Sequence, residues 1–185
     1  MALTWARIAF IPFIVGVFYV PDALVSPHMK NVLACIMFII AAITDALDGY
    51  IARNYNMATM MGAFLDSVAD KLVVCSAIVV LLAFDRVDMI VALIIVGREI
   101  AVTALREWMA KIGAAATVKV NWFGKIKTIA QMTAIPMLLF FDPFFGIDIY
   151  LVGTVLIWVA AVLTVYSMFV YMSAAWPHIE GGDAK

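Results

Sequence analysis

The chain has 185 residues, of which 66% are hydrophobic and 14% charged, with a mean hydropathy of +1.08. A soluble domain needs more polar cover than this, so the composition excludes one and points to an integral membrane protein with room for roughly six spans of about 20 residues. A net charge of −1 without a basic run or stripe excludes a nucleic-acid binder.

Six apolar segments predict an all-α, polytopic fold with a single catalytic domain over 1–176 and a polar cytoplasmic tail at 177–185. The first segment runs from about Leu3 to Val20. Its Arg7 ahead of an apolar run mimics a signal peptide, but no Ala-x-Ala-like cleavage site stands out and a second span follows, so a retained helix is expected. Pro21 and Pro27 close the next loop, and the second and third segments run from Asn31 to Ile51 and from Gly62 to Phe84. Asp85-Arg86-Val87-Asp88 makes a very short turn into the fourth, Met89 to Ala110. The fifth, Gly124 to Phe141, stops at Asp142-Pro143, and the sixth, Ile147 to Ala174, precedes a tail after Trp176-Pro177 that is expected to fray. Cys35 and Cys75 sit inside apolar segments with no second Cys or His at ligand spacing, which predicts packing rather than a disulfide or zinc site.

Arg53 after the second segment, with Lys111, Lys119, Lys125 and Lys127 around the fourth connection, outweighs Lys30 and Arg86 in the opposite loops. The positive-inside rule then places both termini, and the junction of segments two and three, in the cytoplasm.

That junction holds Asp45, Asp48, Asp66 and Asp70. Four unpaired aspartates at helix centres would cost roughly 10–14 kcal/mol, so something compensates them. Spacings of three and four residues put Asp45, Asp48, Gly49 and Ala52 on one helical face and Gly62, Asp66 and Asp70 on another. Two such faces can converge. Hard carboxylate oxygens suit two divalent ions of the Mg²⁺ or Mn²⁺ kind, as in sites that clamp a phosphoryl group during in-line displacement. The small residues leave room for a bulky ligand, or equally for close helix packing. The competing account of the acids is interhelical salt bridging with Arg53, Lys71 or Arg98.

The string Asp45-x-x-Asp48-Gly49-x-x-Ala52-Arg53, eight residues, Gly62-x-x-x-Asp66-x-x-x-Asp70 resembles the full signature of the CDP-alcohol phosphotransferases. Arg98-Glu99-Ile100, Ala104 to Ala110, Gly124-Lys125-x-Lys127-Thr128-x-Ala130-Gln131 and the closing Ala160 to Ala175 are similar to the bacterial members whose acceptor is sn-glycerol 3-phosphate. The resemblance implies transfer of a phosphatidyl group from CDP-diacylglycerol to that acceptor with release of CMP, in a homodimer of the bacterial inner membrane. It makes Asp45, Asp48, Asp66 and Asp70 metal ligands, Asp70 also the general base, and Gly49, Ala52, Arg53 and Gly62 the lining of the nucleotide site. Two departures stand out. The family's opening Asn has no counterpart before Leu3-Thr4-Trp5-Ala6-Arg7, which implies a start shortened relative to the family, and Ser67 stands where many relatives have Pro.

The acceptor phosphate needs cations of its own, for which Arg98, Arg106, Lys119, Lys125 and Lys127 are available. Arg98 and Arg106 lie about 80° apart on a helix, near enough to aim at one cleft, with Glu99 placed to orient Arg106. Lys125 and Lys127 are about 200° apart, so one is expected to bind phosphate and the other to snorkel. Other readings explain less. An intramembrane prenyltransferase separates its two acidic motifs by several helices, and a divalent-cation transporter leaves Arg53 and the downstream cations unexplained. The acidic signature alone leaves serine, inositol phosphate or phosphatidylglycerol open as acceptors.

Overall fold

The computed structural model describes the backbone of residues 2–55, 60–113 and 122–182, and their side chains except 2–4, 6, 48–55, 60, 61, 63, 123, 125 and 178–182. Among the described residues the chain forms six α-helices and no strand: α1 (Ala2–Gly16, continued by a 3₁₀ turn, Val17–Tyr19), α2 (Pro27–Tyr55), α3 (Met60–Ala83), α4 (Met89–Lys111), α5 (Trp122–Phe140) and α6 (Ile149–Gly182).

Local chemistry sets the boundaries. Ser26 Oγ accepts from Met29 N at 3.3 Å, with Pro27, whose missing N–H costs nothing there, as the first residue of α2. Asp88 and Asp148 cap α4 and α6 by accepting from Ile90 N at 2.7 Å and Leu151 N at 3.0 Å. Gly113, at φ 75, follows the end of α4, where a left-handed residue is needed to turn the chain off the helix. One end differs from expectation. α6 does not stop at Trp176-Pro177 but runs to Gly182; Pro177 lacks the backbone donor to the carbonyl of Ser173 and crowds it with its ring, but Ser173 is exposed and the helix continues past it.

The loops after α1, α3 and α5 gather at one end of the bundle. Arg86 donates to Asn31 Oδ1 at 2.7 Å and to the carbonyl of Leu139 at 2.9 Å, and Asp142 meets His28 at 2.7 Å. The helices therefore alternate in direction, and the C-terminal ends of α2 and α4 point to the other end. Between the ends, Ile14, Phe38, Ile78, Leu81, Ile95, Ile135, Leu138 and Ile157 form a buried core, and Ala34, Ala41, Ala77, Ala134 and Ala161 let the helices approach. Gly153 marks the tightest approach: a Cβ there would meet Leu138 Cγ and Met137 Cβ at 3.1 Å.

The outside of the bundle is as apolar as its core, with Phe13, Ile36, Ile43, Val79, Leu93, Ile129, Val155 and Phe169 all exposed. Such a surface is matched to lipid, not water. By length and composition, two described stretches suffice to cross a membrane, Pro27–Leu47 and Ile149–Pro177, while Arg7–Tyr19 and Ile126–Phe140 are shorter apolar stretches. α3 and α4 are interrupted by Asp66, Asp70 and Lys71, and by Arg98, Glu99, Arg106 and Glu107. The charges that break their apolar runs are mostly those assigned above to the site or its neighbourhood.

Candidate active site

The aspartates of α2 and α3 are drawn together by a helix outside the motif. α1 packs against both α2 and α3, and its Arg7 approaches Asp45 Oδ1 at 2.8 Å and Asp66 Oδ1 at 3.0 Å through the same nitrogen, Nη1. Arg7 is only 1% exposed, whereas the two acids are about one-third exposed, at 33% and 36%. Asp70, one turn beyond Asp66 on α3, joins Asp45 and Arg7 at the polar wall of a small cavity whose apolar wall includes Phe38, Val74 and Met132. Asp70 also lies within electrostatic reach of Glu99 on α4.

In chemical type this donor set suits a hard divalent cation. It is all oxygen, its three carboxylates outnumber the one guanidinium among them, and carboxylates from two helices already address one positive atom. Among the described residues, no group of three or more Asp, Glu, His or Cys side chains is placed to hold a metal ion. Asp48, the fourth expected ligand, falls outside the described side chains, as do the expected nucleotide contacts Gly49, Ala52 and Arg53. Gly62 is partly buried in the first turn of α3, four residues before Asp66.

The second group of expected residues sits beside the first. Glu99 Oε1 accepts from Arg98 Nη1 at 3.0 Å and from Lys127 Nζ at 2.7 Å, joining α4 to α5. Arg106 lies within electrostatic reach of Lys127 and donates from Nη2 to the hydroxyl of Tyr171 on α6 at 3.0 Å, its guanidinium 5.2 Å from the ring centroid. Of the pair on α5, Lys127 is buried inward. The side chain of Lys125 and the whole of Lys119 fall outside the described residues.

One expectation is corrected, and the competing account of the acids finds a different partner. Glu99 does not orient Arg106: the two share a face but stand two turns apart, about 10.5 Å along the axis, and Glu99 pairs with Arg98 and Lys127. Lys71 lies within electrostatic reach of Asp70, but among the described residues neither it nor Arg98 makes a salt bridge to the aspartates. Lys71 bonds to the carbonyl and hydroxyl of Ser67, at 2.7 and 2.6 Å, and Arg98 turns to Glu99. The ion pairing comes from Arg7, which the sequence reading used only for signal-peptide and family comparison. Its signal was available, because an arginine in an apolar helix needs a buried partner. Tyr171 is the other residue missed, and nothing in its spacing distinguishes it from the remaining tyrosines.

Residues 1–166 match the family model of the CDP-alcohol phosphatidyltransferases. The chain is 44% identical over 175 residues to a protein of Salmonella typhimurium strain LT2, and 45% identical over 175 residues to one of Shigella flexneri. It is 43% identical over 176 residues to one of Yersinia enterocolitica. Each alignment covers 94% of this chain and 92% of the relative, and each relative is named CDP-diacylglycerol–glycerol-3-phosphate 3-phosphatidyltransferase. With aspartates of the signature facing one another across α2 and α3 and the match running through most of the helices, the chain belongs to the CDP-alcohol phosphatidyltransferase family.

Proposed function

We propose that the protein transfers the phosphatidyl group of CDP-diacylglycerol to sn-glycerol 3-phosphate, giving phosphatidylglycerol phosphate and CMP. The observation that carries this reading is the pairing of two oppositely charged groups: the acids of α2 and α3, and the cations Arg98 and Lys127 with Arg106, held around Glu99, which lies within electrostatic reach of Asp70. A nucleotide lipid and a small phosphorylated alcohol need such adjoining sites.

In the reaction the 1-hydroxyl of glycerol phosphate attacks the phosphorus that bears diacylglycerol, that phosphorus–oxygen bond forms, and the bond to CMP breaks in line. Asp70 accepts the hydroxyl proton. Asp45, Asp48, Asp66 and Asp70 would hold two divalent ions, Mg²⁺ or Mn²⁺, which when bound neutralise the pyrophosphate and the departing CMP. Gly49, Ala52, Arg53 and Gly62 line the cytidine nucleotide, Arg53 offering a planar fork to phosphate. Arg98, Arg106, Lys127, Lys125 and Lys119 attract the acceptor phosphate. All six helices cross the bacterial cytoplasmic membrane, with the site and both termini on the cytoplasmic side, and the enzyme works as a homodimer.

The test is CMP release by purified protein from CDP-diacylglycerol, with Mg²⁺ or Mn²⁺ and a panel of glycerol 3-phosphate, serine, inositol phosphate and phosphatidylglycerol. Release only with metal and glycerol 3-phosphate is expected. Preference for another alcohol overturns the acceptor, and absence of CMP with every alcohol overturns the transfer reaction and leaves the cation transporter.

A further inference from the structure

We infer that Glu99 is a positioning residue for the acceptor phosphate, one that fixes Arg98 and Lys127 in the geometry that meets it. The inference rests on the acceptor reading above. It starts from an imbalance that a structural salt bridge does not explain.

One oxygen of Glu99 serves two cations, Arg98 Nη1 at 3.0 Å and Lys127 Nζ at 2.7 Å. Lys127 is 2% exposed and Arg98 11%, so this small group carries surplus positive charge away from bulk solvent. Uncompensated charge in such a place is costly, and a bridge built only to join helices would provide a second acid. Instead, polar capacity is left over. Arg98 Nε is buried without a hydrogen-bond partner among the described residues, and so is Oε1 of Gln131, one turn beyond Lys127 on α5. Arg106 adds a third cation within electrostatic reach of Lys127.

Arg98 and Lys127 against the single carboxylate they share leave positive charge over at this group, and a phosphate monoester near neutral pH carries a charge of about −1.5 to −2. Without Glu99 the pocket would hold two adjacent cations with no common anchor, repelling one another and free to leave the geometry that meets the phosphate. With it, both are held while Arg98 keeps its Nε for a ligand.

The full-length protein in detergent micelles, with CDP-diacylglycerol and glycerol 3-phosphate each varied in turn, tests this. Glu99→Gln should raise the acceptor KM about tenfold or more while the donor KM stays within about twofold. An unchanged acceptor KM, or equal rises in both, overturns the inference. If Glu99→Gln does not fold, Glu99→Asp keeps the charge but draws the carboxylate back by one methylene from Arg98 and Lys127. That variant should show a raised acceptor KM with a normal donor KM, and an unchanged acceptor KM there overturns the inference just as well. The unaltered protein, assayed alongside, separates the two levels: if it does not turn over glycerol 3-phosphate, the acceptor reading fails and takes this inference with it, whereas turnover with an indifferent Glu99→Gln sinks the inference alone.

Discussion

Arg7 is the residue on which the arrangement of the acids turns, since one nitrogen of its buried guanidinium meets both Asp45 and Asp66. Replacing it by Met removes the shared cation and leaves two carboxylates facing each other. Truncating one partner of a fully buried pair costs about 3–5 kcal/mol, but these acids are about one-third exposed and partly screened by water, so about 1–3 kcal/mol is expected. The Arg7→Met protein should melt lower than the unaltered one in thermal unfolding without metal. Saturating Mg²⁺ should narrow the gap, because the ion supplies the positive charge that Arg7 gave; an equal Mg²⁺ shift in both proteins would mean that the ion and the guanidinium do not act on the same acids. Asp70 predicts a different pattern. Asp70→Asn keeps volume and shape but loses both the proposed base and a ligand charge, so CMP release should fall by at least about 10³-fold, in the range general bases contribute, while thermal unfolding and binding of CDP-diacylglycerol stay close to normal. A rate near that of the unaltered protein would rule out Asp70 as the base.

At the level of elements, each end of the bundle is held by a polar clamp. At the end away from the site, Arg86 in the α3–α4 turn donates to the carbonyl of Leu139 in the last turn of α5 and to Asn31 near the start of α2. Its guanidinium also stands 4.5 Å from the ring centroid of Phe141, a residue at φ 66 that turns the chain off α5. The final carbonyls of a helix have no partner of their own, so a guanidinium serves both as a cap and as a bridge between elements. Arg86→Leu should therefore cost about 2–3 kcal/mol, the size of lost hydrogen bonds to a charged group, read as a lower midpoint in chemical or thermal unfolding. The acceptor KM should not move. Asn31 and Asp45 are about 21 Å apart along α2 at 1.5 Å per residue, too far for the clamp to touch the site.

Considered whole, the molecule is an apolar bundle with a polar clamp at one end and, among the described residues, the aspartate site and its neighbouring cations toward the other. α2 with 29 residues and α6 with 34 are about 44 and 51 Å long, against about 30 Å for the hydrocarbon of a bilayer. Both must project beyond it, and the aspartate site, roughly 21 Å from the opposite clamp, falls near one boundary of the apolar layer. A lipid substrate can then enter sideways while a soluble acceptor arrives from water. The proposed orientation predicts that a fluorescent protein fused after Lys185 lights up in cells and that alkaline phosphatase fused there stays inactive; the reverse result would place the site on the wrong side for a cytoplasmic acceptor.

The amino-acid sequence by itself determined what depends on neighbours a few residues apart: six helices, bounded within a few residues by Pro27, Asp88 and Asp142-Pro143, and the faces on which Asp66 and Asp70, or Arg98 and Glu99, are carried. Periodicity and capping are local, so they can be read along the chain. Pairings between helices could not be read this way. That Arg7 rather than Lys71 meets the acids, that Glu99 holds Lys127 rather than Arg106, and that Tyr171 receives Arg106 were decided only when α1 settled against α2 and α3 and α6 settled against α4 and α5. The physical reason is reach: a buried charge takes the partner that packing brings within about 3 Å, and helical spacing says which way a side chain points but not which helix will stand in front of it.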